Sequence, residues 1–256
     1  MARVIAIASG KGGVGKTMLT ANLGFALANF DKKVLLVDAD LDMANLELVL
    51  GMEGRPITLQ DVLNEEAKLD DAIYDIAQNI KFVPAGIAPS QYRRVDPEKL
   101  VNVLTQLAVK ADFVLLDCPA GIGRDTQACL SAGKEVILVV TPEHMSLADA
   151  YKTKIVAEKL GSEVIGVVVN LIKGVKRELK DKEITSLLQV PILGHIKEEG
   201  LVREATLSGK PIVAQNPSHP VSQEIYKIAA YLTGSQYVPK VEKENIFKKL
   251  LKLFKR

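Results

Sequence analysis

The sequence predicts an α/β fold, with a mostly parallel, twisted sheet of about seven or eight strands and helices on both faces. Seven short apolar runs rich in valine and isoleucine recur along the chain, and helix-length segments with apolar residues three and four positions apart separate them. Continuous rather than alternating hydrophobicity is typical of strands that are buried on both faces. The repeated order of strand and helix then favours a mostly parallel sheet that is covered on both sides.

The predicted elements follow one another along most of the chain. The strands span residues 4–8, 33–38, 80–84, 113–117, 136–141, 164–170 and 192–196. Between the first two strands, the spacing of the apolar residues predicts a helix with one buried face, formed by Leu19, Leu23, Ala26 and Leu27. The globular pattern stops near residue 237, which predicts a body of residues 1–236, a linker of residues 237–243 and a separate C-terminal segment of residues 244–256.

Length and composition exclude several classes of protein. The 256 residues are 48% hydrophobic and 25% charged, as in an ordinary globular protein, which excludes a disulfide scaffold, a disordered chain and a membrane-embedded bundle. Cys118 and Cys129 form no C-x-x-C pair, so we expect neither a cysteine-rich metal site nor a disulfide framework. No signal peptide and no spanning apolar run is present, which predicts a cytoplasmic protein.

The charge is unevenly distributed. The formal net charge is +2, but residues 244–256 hold five basic residues and one acidic residue, so that segment carries +4 and the other 243 residues carry −2. A body of this charge is not suited mainly to covering the phosphates of nucleic acid, and we expect no specific nucleic-acid partner.

Polar residues follow the predicted strands at the points where ligands of parallel sheets bind. Residues 10–17 read G-K-G-G-V-G-K-T and lie between a strand and a helix, which matches the phosphate-binding pattern G-x-x-x-x-G-K-[ST] in its required context. Glycines allow backbone N–H groups to surround an anion, Lys16 reaches the β and γ phosphates, and Thr17 ligates Mg²⁺. The predicted ATP-binding loop therefore consists of Gly10, Lys11, Gly12, Gly13, Val14, Gly15, Lys16 and Thr17.

Lys11 is unusual in this loop, because an ordinary phosphate cradle has no use for a second lysine. The run K-G-G-V-G-K-T resembles the deviant Walker A family of P-loop ATPases, and in particular the MinD branch of the MinD/ParA group. The resemblance implies that Lys11 reaches across a dimer interface to the nucleotide of the partner subunit. It further implies an ATP-dependent homodimer, with ATP and Mg²⁺ as cofactors and ATP hydrolysis as the reaction.

The resemblance extends over nearly the whole body and implies roles for five further residues. Residues 37–40 are similar to the switch I segment, in which Asp40 orients or deprotonates the attacking water and Asp38 supports Mg²⁺ through water. Residues 113–117 are similar to the Walker B strand, which places Asp117 in the Mg²⁺ shell. Asn45 corresponds to an asparagine after the switch I aspartates, and Asp149 to a position that meets the signature lysine across the dimer. The paired carboxylates could instead cap a helix.

The adenine base is expected near the end of the sixth strand. Asn170 matches the position in the family that hydrogen-bonds the adenine ring, and residues 197–203 resemble the loop that covers the base. A strand-ending asparagine could also be a plain turn residue.

The C-terminal segment has the pattern of an amphipathic helix that lies in a membrane interface. Its apolar face would consist of Ile246, Phe247, Leu250, Leu251 and Phe254, opposite a basic face that includes Lys248 and Lys252. One such helix binds an anionic membrane weakly, but two joined in a dimer can gain about 10² to 10⁴ in avidity. Docking on a partner protein, or packing back on the body, is the alternative interpretation.

These observations favour a membrane-cycling ATPase that positions a division site or another cargo. ATP would drive dimerisation, the two C-terminal helices would bind the inner face of the cell membrane, and hydrolysis would release them, with an activating or cargo protein as a further partner. A ParA-like partition ATPase that binds DNA nonspecifically is a second hypothesis, which the acidic body and apolar tail face disfavour. An adaptor or iron–sulfur carrier of the same fold is a third, and the missing C-x-x-C pair counts against it.

Overall fold

The computed structural model describes residues 2–86 and 97–239. The strands are β1 (Arg3–Ser9), β2 (Val34–Asp38), β3 (Tyr74–Ala77), β4 (Ile80–Val83), β5 (Phe113–Ala120), β6 (Glu135–Val140), β7 (Glu163–Ile172) and β8 (Ile192–Lys197). The helices are α1 (Lys16–Ala28), α2 (Leu46–Leu50), α3 (Leu59–Leu63), α4 (Pro97–Leu107), α5 (Arg124–Ala132), α6 (His144–Lys159), α7 (Asp181–Leu188), α8 (Gly200–Leu207), α9 (Ile212–Gln215) and α10 (Pro220–Thr233). A 3₁₀ turn covers Leu69–Ala72.

All eight strands belong to one sheet, in the order β3-β4-β2-β5-β1-β6-β7-β8, and every neighbouring pair except β3 and β4 is parallel. This architecture confirms the predicted fold class. The seven predicted strands are all present, since long runs of buried aliphatic residues satisfy both faces of a parallel sheet. The eighth strand, β3, is a short antiparallel edge strand in which half-buried and exposed residues alternate.

Helices cover both faces of the sheet and enclose two hydrophobic cores. One core packs β2, β5 and β6 against α3, α4, α5 and α6, and the other packs the opposite face against α1, α2, α8, α9 and α10. The four residues that the sequence placed on the inner face of α1 (Leu19, Leu23, Ala26 and Leu27) are fully buried. The spacing of apolar residues therefore identified the buried face of this helix.

The carboxyl ends of the parallel strands meet at one edge of the sheet, called the carboxyl edge below. The glycine-rich loop follows β1 at the centre of the sheet, between β5 and β6. Asp38 and Asp117 end up opposite each other in the register of β2 and β5. Ligands of open parallel sheets bind at this edge, so the fold places the predicted site residues on neighbouring strands.

The chain turns back on the body after α10. Gly234 follows the helix in the left-handed conformation, with a φ of 65°. The Tyr237 ring then stacks on Tyr226, with 5.2 Å between the ring centroids, and both rings meet the edge of Phe30. No described helix is long and apolar enough to cross a membrane. The predicted membrane segment, with Ile246, Phe247, Lys248, Leu250, Leu251, Lys252 and Phe254, lies outside the described residues.

Candidate nucleotide-binding site

The glycine-rich loop depends on glycine at specific backbone positions. Gly13 and Gly15 have φ values of 75° and 93°, in the left-handed region that other residues adopt only at a cost. Gly10 packs so closely on α6 that a Cβ atom there would overlap the backbone of Asp149. Gly15 is the residue before α1, so the loop delivers its N–H groups and the positive end of the helix dipole to one place. This geometry suits a bound phosphate.

Lys16, Thr17 and Asp117 come together at the end of the loop. Lys16 is the first residue of α1 and is only 8% exposed. Burial raises the pKa of Asp117 to about 6, although the hydrogen bond from Thr17 and the charge of Lys16 both lower the pKa. A buried carboxylate beside a hydroxyl group is the kind of ligand set that Mg²⁺ prefers. The structure thus brings together the residues predicted to hold the phosphates and the metal.

Asp38 organises the backbone of the segment that follows β2. Its Oδ1 accepts a hydrogen bond from Asp40 N at 3.1 Å, and its Oδ2 accepts from Asn45 N at 3.1 Å and Leu46 N at 2.9 Å. The side chain is fully buried, and this burial, with the nearby charge of Asp117, raises its pKa well above the usual value. The sequence assigned Asp38 only to Mg²⁺ support, whereas the structure also makes it the anchor of residues 40–46.

Asp40 and Asn45 lie on this anchored segment. Asp40 is partly buried, and its Oδ1 accepts a hydrogen bond from Met43 N at 3.0 Å. Its charge contributes to the raised pKa of Asp117, so the two carboxylates are close in space. Asn45 directly precedes α2, and its exposed amide donates to Met43 O at 2.6 Å. Both residues are therefore at least partly exposed, and hydrogen bonds from their backbone N–H groups to Asp38 help to fix their position.

Lys11 forms an ion pair within its own chain. Its Nζ lies 3.0 Å from Glu143 Oε2, over the start of α6, and the ammonium group lowers the pKa of the Glu143 carboxyl below its usual value. Asp149, which was expected to meet this lysine across a dimer, has its Oδ1 3.2 Å from the ammonium of Lys152. The sequence did not identify Glu143, because Glu143 and Lys11 are 132 positions apart and no motif connects them.

A cavity of about 350 Å³ adjoins the loop on the side of β7 and β8, and residues 197–200 form part of its wall. Asn170 Nδ2 donates to Val14 O at 2.7 Å, while the buried Asn170 Oδ1 has no hydrogen-bond partner among the described residues. A buried acceptor without a partner is costly, and the amino group of adenine would satisfy it. The structure thus brings Asn170 and residues 197–200, which the sequence predicted to contact the base, to one cavity beside the phosphate loop.

Leu171 also lines this cavity, and the sequence did not single it out. It has a φ of 56°, which is unusual for leucine, and the pairing of β7 with β8 shifts register between Val169 and Ile172. β7 ends at Ile172, two residues beyond the predicted strand end. No pattern in a single sequence signals a left-handed leucine, so only the structure reveals this residue.

Comparison with known proteins places the chain in a family. Residues 5–212 match the CobQ/CobB/MinD/ParA nucleotide binding domain. The chain belongs to this family. Among its relatives, an uncharacterised ATP-binding protein of Methanocaldococcus jannaschii is 44% identical over 254 residues, which cover 98% of this chain and 96% of the relative.

Two solved structures of this family extend the comparison. The septum site-determining protein MinD of Pyrococcus horikoshii, complexed with Mg-ADP, is 41% identical and superposes with a TM-score of 0.87, covering 91% of this chain and 96% of that protein. The MinC:MinD cell division protein complex of Aquifex aeolicus contains a chain that is 35% identical, with a TM-score of 0.83 and coverage of 93% and 98%. The chain is therefore a MinD/ParA-family P-loop ATPase in sequence and fold.

Proposed function

We propose that this protein is a MinD-like ATPase that dimerises on binding ATP, attaches to the membrane through residues 244–256 and is released on hydrolysis. The observation that carries the proposal is Lys11, a signature lysine whose ammonium group lies over the start of α6, in an exposed ion pair with Glu143. Exposed pairs of this kind are weak, so Lys11 is available to a second subunit at little cost. In this role the protein would position a division site or another cargo.

Each part of the described site has a role in binding Mg-ATP. The N–H groups of residues 10–15 and the ammonium of Lys16 would hold the phosphates, and Thr17 with Asp117 would hold Mg²⁺, directly or through water. Bound Mg²⁺ neutralises charge that develops on the phosphates. The unpartnered Asn170 Oδ1 would accept the amino group of adenine, which supports an adenine nucleotide over a guanine nucleotide.

Hydrolysis requires a positioned water, and Asp40 is the candidate residue. It is partly buried, close to Asp117, and held by the backbone that Asp38 anchors. A carboxylate in this position can orient the attacking water or accept its proton. The backbone N–H groups of residues 40, 45 and 46 all donate hydrogen bonds to the buried side chain of Asp38. A partner protein that shifts this segment would therefore alter the position of Asp40. This is expected for an ATPase that an activating protein stimulates.

Membrane attachment is tested by cosedimentation with anionic vesicles. Full-length protein and a chain ending at Val241 are compared in ATP and in ADP, each with Mg²⁺. We expect ATP to promote pelleting of the full-length chain only, because two C-terminal segments joined by a dimer bind far more strongly than one. The proposal fails if neither chain pellets in either nucleotide. Nucleotide-dependent binding to linear duplex DNA in place of vesicles would favour a partition ATPase instead.

A further inference from the structure

Thr20 carries a buried hydroxyl group that lies outside the phosphate-loop motif. It lies on α1, three positions after Thr17, so both side chains are on one side of the helix. Thr20 is fully buried, and its Oγ1 lies 3.3 Å from Oδ1 of Asp117 in β5. Thr17 also donates a hydrogen bond to Asp117, so two hydroxyl groups of α1 contact the same carboxylate.

The Thr20 hydroxyl group has one proton and two possible acceptors. Besides Asp117, Lys16 O lies 3.0 Å from its Oγ1, and threonine in a helix often bonds the carbonyl group four residues earlier. In an α-helix that carbonyl group also accepts the backbone N–H of Thr20, so it is satisfied without the hydroxyl group. An ionised carboxylate accepts only, and charge-assisted hydrogen bonds are about twice as strong as neutral ones. We therefore expect the Thr20 proton to point to Asp117 whenever that carboxylate is ionised.

Asp117 needs a donor on the side of α1, because a second buried carboxylate lies on the neighbouring strand. Asp38 is opposite Asp117 in the register of β2 and β5, and both residues are at most 2% exposed. Like charges in such a poorly hydrated place repel each other strongly. The hydroxyl groups of α1 oppose this repulsion by holding Asp117 beside the phosphate loop.

The two threonines differ in what else they can contact. Thr17 directly follows Lys16 at the start of α1 and is partly exposed, so its oxygen can reach a metal ion. Thr20 is fully buried and lies about one helical turn further from the loop. Thr20 can therefore act on a bound metal ion only through Asp117.

We propose that Thr20 is a positioning residue for Mg²⁺, whose hydroxyl group fixes the Asp117 carboxylate in the orientation that the metal ion requires. This inference rests on the Mg²⁺ role proposed above for Thr17 and Asp117. Mg²⁺ demands near-ideal octahedral geometry, so its affinity depends on how firmly each ligand is oriented. Groups that hydrogen-bond a metal ligand from behind typically contribute about 10- to 100-fold to metal affinity.

The test measures how much Mg²⁺ strengthens the binding of ADP. Titration calorimetry gives the Kd for ADP once with Mg²⁺ and once with EDTA, and the ratio of the two values is called the Mg²⁺ gain here. ADP is used because the proposed dimer requires ATP, so dimerisation does not contribute. Thr20→Val keeps the shape of the side chain and removes its hydroxyl group, whereas Thr20→Ser keeps the hydroxyl group.

We expect Thr20→Val to lower the Mg²⁺ gain about tenfold and to leave the Kd in EDTA unchanged. Thr20→Ser should keep the gain within about threefold of the unmodified chain, because serine supplies the same donor. Thr233→Val is the matched control, since Thr233 Oγ1 donates to Ala229 O at 3.0 Å, again four residues earlier in a helix. Thr233 follows Leu232, whose carbonyl group contacts Arg3 at the start of β1, so it lies at the opposite end of the strands from the loop. The control should show the full Mg²⁺ gain.

Three results would overturn the inference and leave the proposed Mg²⁺ role standing. They are a full gain in Thr20→Val, an equal loss of ADP affinity in EDTA and in Mg²⁺, and an equal loss of gain in Thr20→Ser. The last two would assign Thr20 to packing of the helix rather than to the metal site. If Mg²⁺ does not strengthen ADP binding by the unmodified chain, the inference and the proposed Mg²⁺ role of Asp117 are both wrong.

Discussion

Neutralising Glu143 is expected to strengthen ATP-dependent dimerisation. In the single chain, Lys11 Nζ lies 3.0 Å from Glu143 Oε2, and this ion pair must break before Lys11 can reach the nucleotide of a second subunit. The Glu143→Gln substitution keeps the size of the side chain and removes its charge. The charge of Lys173 also lowers the pKa of Glu143. In the variant, we expect Lys173 to keep its ion pair with Glu198.

The size of the effect follows from the exposure of the pair. The Lys11 side chain is 33% exposed and that of Glu143 is 63% exposed. Ion pairs this exposed contribute about 0.2–1 kcal/mol, and a symmetric dimer breaks two of them. The dimer dissociation constant should therefore fall by about two- to thirtyfold in the variant. High salt screens the pair and should reduce the difference between the variant and the unmodified chain.

Analytical ultracentrifugation with a nonhydrolysable ATP analogue and Mg²⁺ measures this constant directly. Asp70→Asn is the matched control, since Asp70 forms an ion pair of similar exposure with Lys110, just before β5 and at the opposite end of the strands from Lys11. The control should dimerise like the unmodified chain. If Glu143→Gln dimerises no better than the control, Glu143 does not hold Lys11 back and the reasoning is wrong.

Three further predictions concern the nucleotide site. Asp117→Asn should raise the melting temperature of the nucleotide-free protein at pH 7.5 by a few degrees and abolish its stabilisation by Mg-ATP. Burial raises the pKa of Asp117 to about 6, so the ionised carboxylate lowers the free energy of unfolding as the pH rises from about 4 through 6. The loss is about 1–3 kcal/mol, and the amide of the variant avoids it. An unchanged melting temperature at pH 7.5 would contradict this. Asn170→Ala should weaken ATP binding about tenfold and remove any preference for ATP over GTP in titration calorimetry, because the variant lacks the buried acceptor. Leu171→Gly should keep the free energy of unfolding within about 1 kcal/mol of the unmodified value, because glycine adopts the left-handed backbone without strain and this offsets the lost packing. The variant should bind ATP about fivefold more weakly and bind tripolyphosphate with unchanged affinity. Gln189→Gly, at a left-handed residue that does not line the base cavity, should leave nucleotide affinity unchanged and serves as its control.

The sequence by itself determined the fold class and the phosphate loop. Buried parallel strands need continuous apolar runs, so those runs alone located seven of the eight strands. The sequence also predicted the phosphate loop, because the features that form it are local and are encoded by adjacent residues. These features are the left-handed Gly13 and Gly15 and the helix that starts at Lys16. The sequence predicted Asp117 as a site residue because it follows directly on a continuous apolar run, residues 113–116.

The tertiary structure alone decided how distant residues meet. The strand order brings Asp38 opposite Asp117, and the packing of α6 brings Glu143 to Lys11. The edge strand β3 was missed, since its four residues are too few to show a period and only pairing with β4 stabilises them. Ion pairs, register shifts and the left-handed Leu171 depend on neighbours far away in the sequence. Local patterns carry no information about those neighbours, because the chain acquires them only when the sheet assembles.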